Sequence, residues 1–240
     1  MLVVILIASI LLGSYAVYTE IERDTYETDW SYSNDASSTY GIIRSDPDGN
    51  IIALESNQHP LDGRHTNYYI ALDPNGTLLW RFPINAEVGL TSVSTIGPDG
   101  GHYYEDWQDI SFWKQDLSLT RWCNITVLNQ DGTMRWNYVA DDGTLEIFSI
   151  SDQGGVVAQH SEEYLNQTTN VTEWSYTALS LSPQGELLWE VEIPYPDSFI
   201  EDARYAENGT IELHVYSTKD ACSYLIGMGE EGEVLYNVAT

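Results

Sequence analysis

Residues 102–122 bring aromatic rings and carboxylates together at high density. Rings beside acids are typical of surfaces that bind a sugar face or a partner protein, because the ring packs while the acid accepts hydrogen bonds. We therefore predict a binding surface for a glycan or a neighbouring protein in this segment, formed by Tyr104, Trp107 and Trp113. The alternative is that these rings alternate along strands and pack inside the protein, since aromatic residues favour strands.

The other residue types that carry out chemistry show no catalytic or metal-binding spacing in the sequence. The five histidines form no H-E-x-x-H motif, and there is neither a Gly-x-Ser-x-Gly motif nor a phosphate-binding glycine loop. Adjacent acids such as Asp141 and Asp142 could form a glycosidase pair, but adjacency is expected among 37 carboxylates. The sequence therefore predicts a protein that is not an enzyme and that has no catalytic residues, metal site or cofactor.

The charge balance of the chain restricts its partners. Its 240 residues carry 37 acidic and 9 basic side chains, which gives a formal net charge of −28. Such an envelope repels phosphate backbones and anionic lipid headgroups, so we expect no nucleic-acid partner. An acidic coat also keeps a protein hydrated at high salt, where screening weakens its self-repulsion. This composition is typical of an archaeon or another organism with an acidic proteome.

An uncharged apolar run, Leu2–Tyr18, opens the sequence and is followed at once by acidic residues. Its seventeen residues reach the lower limit for a helix that spans a bilayer, so the run predicts an N-terminal helix that anchors the protein in the cell membrane. The alternative is a signal peptide that is cleaved after Ala16 and releases a secreted protein. In either case we expect the bulk of the chain to lie outside the cytoplasm.

Five Asn-x-Thr sequons add support for export. Chance alone would give about two in a chain of this composition, so the excess favours an N-glycosylated surface protein. Two of the five contain Asn-Gly pairs that turn chemistry alone would explain. The candidate glycosylation sites are Asn75, Asn124, Asn166, Asn170 and Asn208.

A repeated motif is the strongest pattern in the sequence. An apolar residue, three turn-forming residues, a glycine, three further residues and an aromatic ring recur four times, with the rings 47 to 56 residues apart. The glycine accepts a positive φ in a tight turn, and the ring lies four residues along the return strand. The four pairs of glycine and ring are Gly76 and Trp80, Gly132 and Trp136, Gly185 and Trp189, and Gly232 and Tyr236.

A second glycine turn precedes each of these motifs, so each repeat contains two hairpins and four strands. The second series of glycines, 51 to 55 residues apart, runs in phase with the first. Tandem four-stranded units with this period predict an all-β fold, a β-propeller of about four antiparallel blades. A β-sandwich is the alternative, although it would not need the same turn and ring in every unit.

The segment Leu72-Asp-Pro-Asn-Gly-Thr-Leu-Leu-Trp80 and its three relatives resemble the repeat of PQQ-like β-propellers, which include quinoprotein dehydrogenases and outer-membrane assembly scaffolds. The resemblance covers residues 41–240 and implies that Trp80, Trp136, Trp189 and Tyr236 dock each blade on its neighbour. It departs from the family in blade number, because those propellers have about seven or eight blades. No residue set in this sequence matches the quinone site of the family, so we expect the cofactor to be absent.

These observations divide the chain into three parts. Residues 1–18 form the anchor or signal segment, residues 19–40 an acidic stem or a strand that closes the ring, and residues 41–240 the propeller domain. Cys123 and Cys222 fall at similar positions in non-adjacent repeats, which predicts two buried thiols without a disulfide, because a disulfide needs Cα atoms within about 7 Å.

The sequence favours a non-catalytic scaffold or binding module, anchored in the membrane and facing outward. One alternative is a filament or envelope subunit that assembles through Leu2–Tyr18 in the manner of pilins. Pilin helices carry a glutamate near their start, whereas in this sequence Glu20 and Glu22 come only after the apolar run. The other alternative is a fragment of a quinoprotein-type dehydrogenase. Four blades are too few to enclose that cofactor, and a shared fold does not carry its chemistry with it.

Overall fold

The computed structural model describes residue 32 and residues 38–58, 65–84, 90–108, 122–140, 143–166, 170–195, 197–206 and 209–240. They form sixteen strands in four antiparallel sheets, and each sheet takes four consecutive strands in chain order. The strands of sheets 1 and 2 are β1 (Ser38–Ser45), β2 (Ile51–Gln58), β3 (His65–Leu72), β4 (Leu78–Ile84), β5 (Leu90–Ile96), β6 (His102–Gln108), β7 (Trp122–Leu128) and β8 (Met134–Ala140). Those of sheets 3 and 4 are β9 (Thr144–Ile150), β10 (Val156–Asn166), β11 (Val171–Leu181), β12 (Leu187–Glu192), β13 (Ser198–Tyr205), β14 (Ile211–Ser217), β15 (Cys222–Met228) and β16 (Val234–Ala239).

This architecture confirms the predicted all-β class and the four four-stranded antiparallel units. The part of the chain that the structure describes contains no helix, and so none that could span a membrane. The predicted anchor and nearly all of the predicted stem lie outside the described residues. Of the stem, the structure describes Tyr32, which packs on the face of sheet 1 that carries Ala53, Ile70 and Leu72, and residues 38–40, which belong to β1.

The predicted hairpins are built on one recurring turn. In the β3–β4 turn, Gly76 has a φ of 81° and donates its N–H to the carbonyl of Asp73, 2.9 Å away. The register of the strands then shifts by one residue, because Leu72 pairs with Leu78 whereas Ala71 pairs with Trp80. This is a tight turn whose glycine conformation a side chain with a Cβ would strain, followed by a bulge at Leu79. The turns at Gly132, Gly185 and Gly232 repeat the bond and the register shift.

The core lies between successive sheets. Contacts join β1 to β5, β6 and β7 to β9, and β9, β10 and β11 to β13, so sheets 1, 2, 3 and 4 stack in chain order in a propeller-like arrangement. Three apolar clusters fill the successive interfaces, with Tyr69 and Tyr104 between sheets 1 and 2, Val127 and Leu179 between sheets 2 and 3, and Val157 between sheets 3 and 4.

The repeated tryptophans lie at these interfaces, each against the turn glycine of the following sheet. A Cβ on Gly132 would lie 2.5 Å from Trp80 Cγ, one on Gly185 would lie 2.7 Å from Trp136 Cδ2, and one on Gly232 would lie 2.7 Å from Trp189 Cβ. Each indole therefore occupies the space that the missing side chain leaves open. Each of these three glycines therefore has two roles: it allows the turn in its own sheet, and it leaves room for the indole of the preceding sheet.

Tyr236, the aromatic residue of the last repeat, does not follow this pattern. Its ring lies on Gly227 of its own sheet, and its hydroxyl donates to Glu212 Oε1 at 2.6 Å. The side chain is 37% exposed and belongs to β16, whose residues are all exposed. Among the described residues Tyr236 therefore packs within sheet 4, and its predicted docking on a neighbouring blade is not what the structure shows.

The cysteines form no disulfide, as their positions in the repeats predict. Cys123 is buried in β7, in the cluster between sheets 2 and 3. Cys222, at the start of β15, is only partly buried, so the prediction of two buried thiols was wrong for this residue.

The three docked indoles differ in their hydrogen bonds, which leads to a stability prediction. Trp80 Nε1 donates to the carbonyl of Gln130 at 2.9 Å and Trp136 Nε1 to that of Pro183 at 3.0 Å, whereas buried Trp189 Nε1 has no partner among the described residues. We expect Trp136→Phe to lower the free energy of unfolding by about 1 kcal/mol more than Trp189→Phe, since only the former removes a made bond. Urea unfolding measures both. An equal or larger loss for Trp189→Phe would show that its N–H has a partner.

Candidate functional site

An open groove follows the edge of sheet 3, between β11 and the chain that leaves β12. It has a volume of about 540 Å³. Its walls carry four aromatic rings and three carboxylates, and we call it the aromatic–carboxylate groove. These residues are Tyr164, Trp174, Tyr176, Tyr195, Glu173, Glu192 and Asp197.

The groove exists because two strands are longer than their neighbours. β10 and β11 pair over eleven residues each, from Val156 opposite Leu181 to Asn166 opposite Val171. β12 pairs with β11 only from Thr177 onward, so residues 171–175 of β11 extend past it. The chain that follows β12 then passes beside this extension and forms the second wall.

The rings of the groove are presented to solvent. Trp174 and Tyr164 are 44% and 46% exposed. The Trp174 and Tyr176 rings are nearly parallel, at 21°, with centroids 6.5 Å apart, and Tyr195 stacks on Tyr224 with centroids 3.8 Å apart. Large exposed rings held by neighbouring rings provide contact area at a low cost in side-chain entropy, as in binding surfaces.

The carboxylates give the groove a negative potential. Tyr164 donates its hydroxyl proton to Glu173 Oε2 at 2.9 Å, and this hydrogen bond raises the pKa of Tyr164, with further contributions from burial and from the charges of Glu173, Asp197 and Glu192. Burial and then the charge of Asp197 raise the pKa of Tyr176 in the same direction. None of the described residues that line the groove is a lysine, an arginine or a histidine. The groove therefore offers rings and hydrogen-bond acceptors to a ligand.

Of the surface predicted at Tyr104, Trp107 and Trp113, the structure describes the side chain of Tyr104 alone. Tyr104 is fully buried between sheets 1 and 2, where its ring stacks on Tyr69 with centroids 3.5 Å apart, and burial raises its pKa. Tyr104 is therefore a core residue, and its prediction as a binding residue was wrong. Trp107 belongs to β6, but its side chain and all of Trp113 lie outside the described residues.

Polar residues accompany Tyr104 at the interface between sheets 1 and 2. The Tyr69 hydroxyl donates to Asp106 Oδ1, and both residues are buried. On the neighbouring strands Arg81 donates to both oxygens of buried Glu55, at 2.9 and 3.0 Å, and covers the Tyr68 ring at 3.5 Å from its centroid. Arg81 and Glu55 neutralise each other within sheet 1, on the face that carries Tyr68 and points away from Tyr69. The Tyr69–Asp106 bond instead joins sheet 1 to sheet 2.

One buried acid has a strongly perturbed pKa. Burial raises the pKa of Glu105 to about 7, the nearby charges of Glu146 and Asp106 add to the shift, and the N–H of Ile147 opposes it. That N–H donates to Glu105 Oε1 at 3.1 Å across the boundary between sheets 2 and 3. An equivalent contact joins sheets 3 and 4, where Ile200 donates to Gln159 Oε1 at 2.7 Å. The role that the geometry gives Glu105 is to connect two sheets.

A larger cleft of about 880 Å³ lies between the turn ends of sheets 3 and 4. Trp189 and Tyr205 line it together with Arg204, Asp152 and Glu230. Two bonds to Glu212 already engage Arg204, so its guanidinium is not free for a ligand. The exposed rings therefore make the aromatic–carboxylate groove the better candidate. The described residues contain no group of three or more His, Cys, Asp or Glu side chains that could hold a metal ion.

The candidate glycosylation sites lie in different settings. Asn75 is exposed in the β3–β4 turn, and Asn170 is exposed just before β11. Asn124 is half-buried in β7, where its amide donates to Thr126 and Asn137, both at 3.0 Å. A glycan there would have to displace both bonds, so Asn124 is poorly placed for modification. Asn208 and the side chain of Asn166 lie outside the described residues.

Comparison with known proteins adds little to this geometry. No family model and no curated protein matches the chain. The solved structures similar to it include cobalt-substituted Synechocystis apocarotenoid oxygenase, at 11% identity and a TM-score of 0.35, and a mutant form of that enzyme, at 11% and 0.34. Each match covers 86% of this chain and 62% of the other, so the chain spans less than two thirds of those oxygenases. The functional inference therefore depends on the residues of this chain.

Proposed function

We propose that the chain is a non-catalytic binding module at a cell surface. The observation that carries this proposal is the aromatic–carboxylate groove, where exposed Trp174 and Tyr164 lie among three carboxylates. Exposed rings rimmed by polar groups form the central contacts of binding surfaces. The ligand is a protein or a glycan, because both classes pack against aromatic rings and donate hydrogen bonds to carboxylates.

The scaffold of the module is a four-bladed propeller of the PQQ-like repeat type. Four meandering sheets stacked in chain order support this assignment, as do the indoles that lie on the turn glycines of the next sheet. A rigid scaffold of this kind holds a binding hairpin in a fixed orientation.

The cell-surface location is supported by the sequence. The apolar run at residues 2–18 is long enough to anchor the chain in a membrane, and the acidic flank and the sequons favour an outward-facing domain. The mass of the native protein decides between an anchored chain and one that is cleaved after Ala16.

Binding to the surface of the source organism tests the proposed function. We expect the labelled full chain to bind envelope preparations saturably, and Trp174→Ala to weaken this binding by about 30-fold, as loss of a central tryptophan contact typically does. Leu79→Ala is the matched control, since it removes a similarly exposed apolar side chain from distant sheet 1. If Trp174→Ala bound as tightly as Leu79→Ala, the groove would not be the binding site.

A further inference from the structure

In the part of the chain that the structure describes, the hairpin of β10 and β11 has strand edges that no other strand covers. β9 pairs with β10 only as far as Ser161, and β12 pairs with β11 only from Thr177. Residues 162–166 and 171–175 therefore form a two-stranded ribbon beyond the rest of sheet 3. No described strand pairs with the outer edge of β11 along residues 171–175, so part of its backbone N–H and C=O groups is open to another chain.

The side chains beside this edge determine which charge an added polypeptide segment should carry. Glu173, Glu192 and Asp197 line the groove beside the edge, and no described residue of the lining is cationic. The exposed rings of Tyr164 and Trp174 line the same groove, and such rings attract ammonium and guanidinium groups through their π faces. The complementary ligand is a positively charged one.

A second copy of this chain is a poor occupant of the edge. Proteins protect exposed edges with charge, and the acid at Glu173 would oppose the same acid of another copy. The net charge of −28 adds repulsion between copies. The same charges attract a basic segment, so they discriminate between the two occupants.

Exposed apolar side chains extend the surface beyond the groove. Leu165 and Val171 are 56% and 55% exposed near the end of the ribbon. This extended surface favours a polypeptide over a single small cation, because an extended chain engages the strand edge and the alternate side-chain positions together.

We propose that an extended basic segment of a partner protein adds as a strand to the edge of β11 at residues 171–175 and places a lysine or arginine side chain in the aromatic–carboxylate groove. This inference rests on the proposed function, and it specifies the partner class and the mode of contact. Backbone hydrogen bonds to β11 supply sequence-independent affinity, and the carboxylates and rings select the basic side chain.

Three synthetic peptides test the proposal with the full chain. The first alternates lysine and valine, the second has glutamine in place of each lysine, and the third keeps the lysines but carries N-methyl groups on alternate backbone amides. At physiological salt we expect the first to bind and each of the others to bind at least about tenfold more weakly. If the first and third bound equally, charge alone would explain binding and strand addition would be wrong.

Variants of the chain locate the binding. We expect Glu173→Gln combined with Glu192→Gln to weaken binding of the lysine peptide by about tenfold. Glu230→Gln combined with Glu231→Gln is the control, because it removes the same net charge from two exposed residues of sheet 4. Equal weakening in the two double variants would mean that the peptide responds only to the overall charge, which would overturn the proposal.

The two proposals fail in different ways. If envelope binding depended on Trp174 and was competed by envelope saccharides but not by the lysine peptide, the groove would bind a glycan, and only the strand-addition inference would be wrong. If envelope binding did not depend on Trp174, the proposed function of the groove would itself be wrong.

Discussion

Replacing Glu105 with glutamine is expected to raise the free energy of unfolding by about 3 kcal/mol at pH 8 and to change it little near pH 4. Glu105 is 6% exposed, and burial raises its pKa from the ordinary 4.5 to about 7. A shift of this size corresponds to about 3 kcal/mol between the protonated and ionised forms. Glutamine keeps the oxygen that accepts the Ile147 N–H, and it carries no charge to bury.

The sign of the pH dependence follows from the direction of the shift. Below about pH 4.5 Glu105 is protonated in both the folded and the unfolded chain, so its contribution to stability is fully present. Between about pH 4.5 and 7 the unfolded chain loses this proton while the folded chain retains it. The contribution of Glu105 to the free energy of unfolding is therefore lost as the pH rises through this range. Urea unfolding of the native protein and of Glu105→Gln at matched pH and salt measures the difference between their free energies of unfolding. The other carboxylates are the same in both proteins, so their contributions largely cancel.

Sheet 3 supplies the control for this prediction. Gln159 makes the equivalent contact with Ile200 and is 5% exposed. Gln159→Glu should therefore lower the free energy of unfolding as the pH rises, as the native Glu105 does. Ile147 and Ile200 each lie directly before a bulged residue of an inner strand, Phe148 and Glu201. If Glu105→Gln had the same effect at pH 4 and pH 8, the folded carboxyl would ionise at its ordinary pKa, and the argument from burial would be wrong.

Much of the fold could be predicted because the residues that define it have strict local requirements. Glycines with a φ near 80° are needed in each turn, and a bulge in the return strand follows the turns at Gly76, Gly132, Gly185 and Gly232. The two series of glycines therefore indicate four units of four strands from the sequence alone. The exception, Tyr236, shows that a residue can keep its place in a repeat without having a neighbouring sheet to pack on among the described residues.

The candidate site could not be predicted in the same way, because exposure depends on neighbours that are distant in sequence. Tyr104 and Trp174 are both aromatic residues in strands with acids nearby. Sheet 1 buries Tyr104 under Tyr69, whereas β12 ends too early to cover Trp174. The available signal was the length of the hairpin, since β10 and β11 have eleven residues each and the outer strands β4, β8, β12 and β16 have six or seven.

Replacing Gly185 with alanine is expected to lower the free energy of unfolding by about 3 kcal/mol, and this variant tests how the sheets are joined. The residue has a φ of 80°, which costs alanine roughly 1–2 kcal/mol in a left-handed conformation. The new Cβ would also lie 2.7 to 2.8 Å from three atoms of the Trp136 indole. Trp136 is 6% exposed and cannot move away freely, so overpacking adds roughly 1–3 kcal/mol.

Two further glycines separate the cost of the turn from the cost of the packing. Gly49 has a φ of 83°, but the nearest atom to its Cβ would be Pro74 Cγ at 3.6 Å, so Gly49→Ala should lose only about 1 kcal/mol. Gly132→Ala should lie between the two, because Trp80 is only half-buried and its ring has room to shift. If urea unfolding showed that Gly49→Ala and Gly185→Ala lower the free energy of unfolding equally, the Trp136 indole would be able to move aside without loss of stability. Trp136 would then not hold sheet 2 against sheet 3.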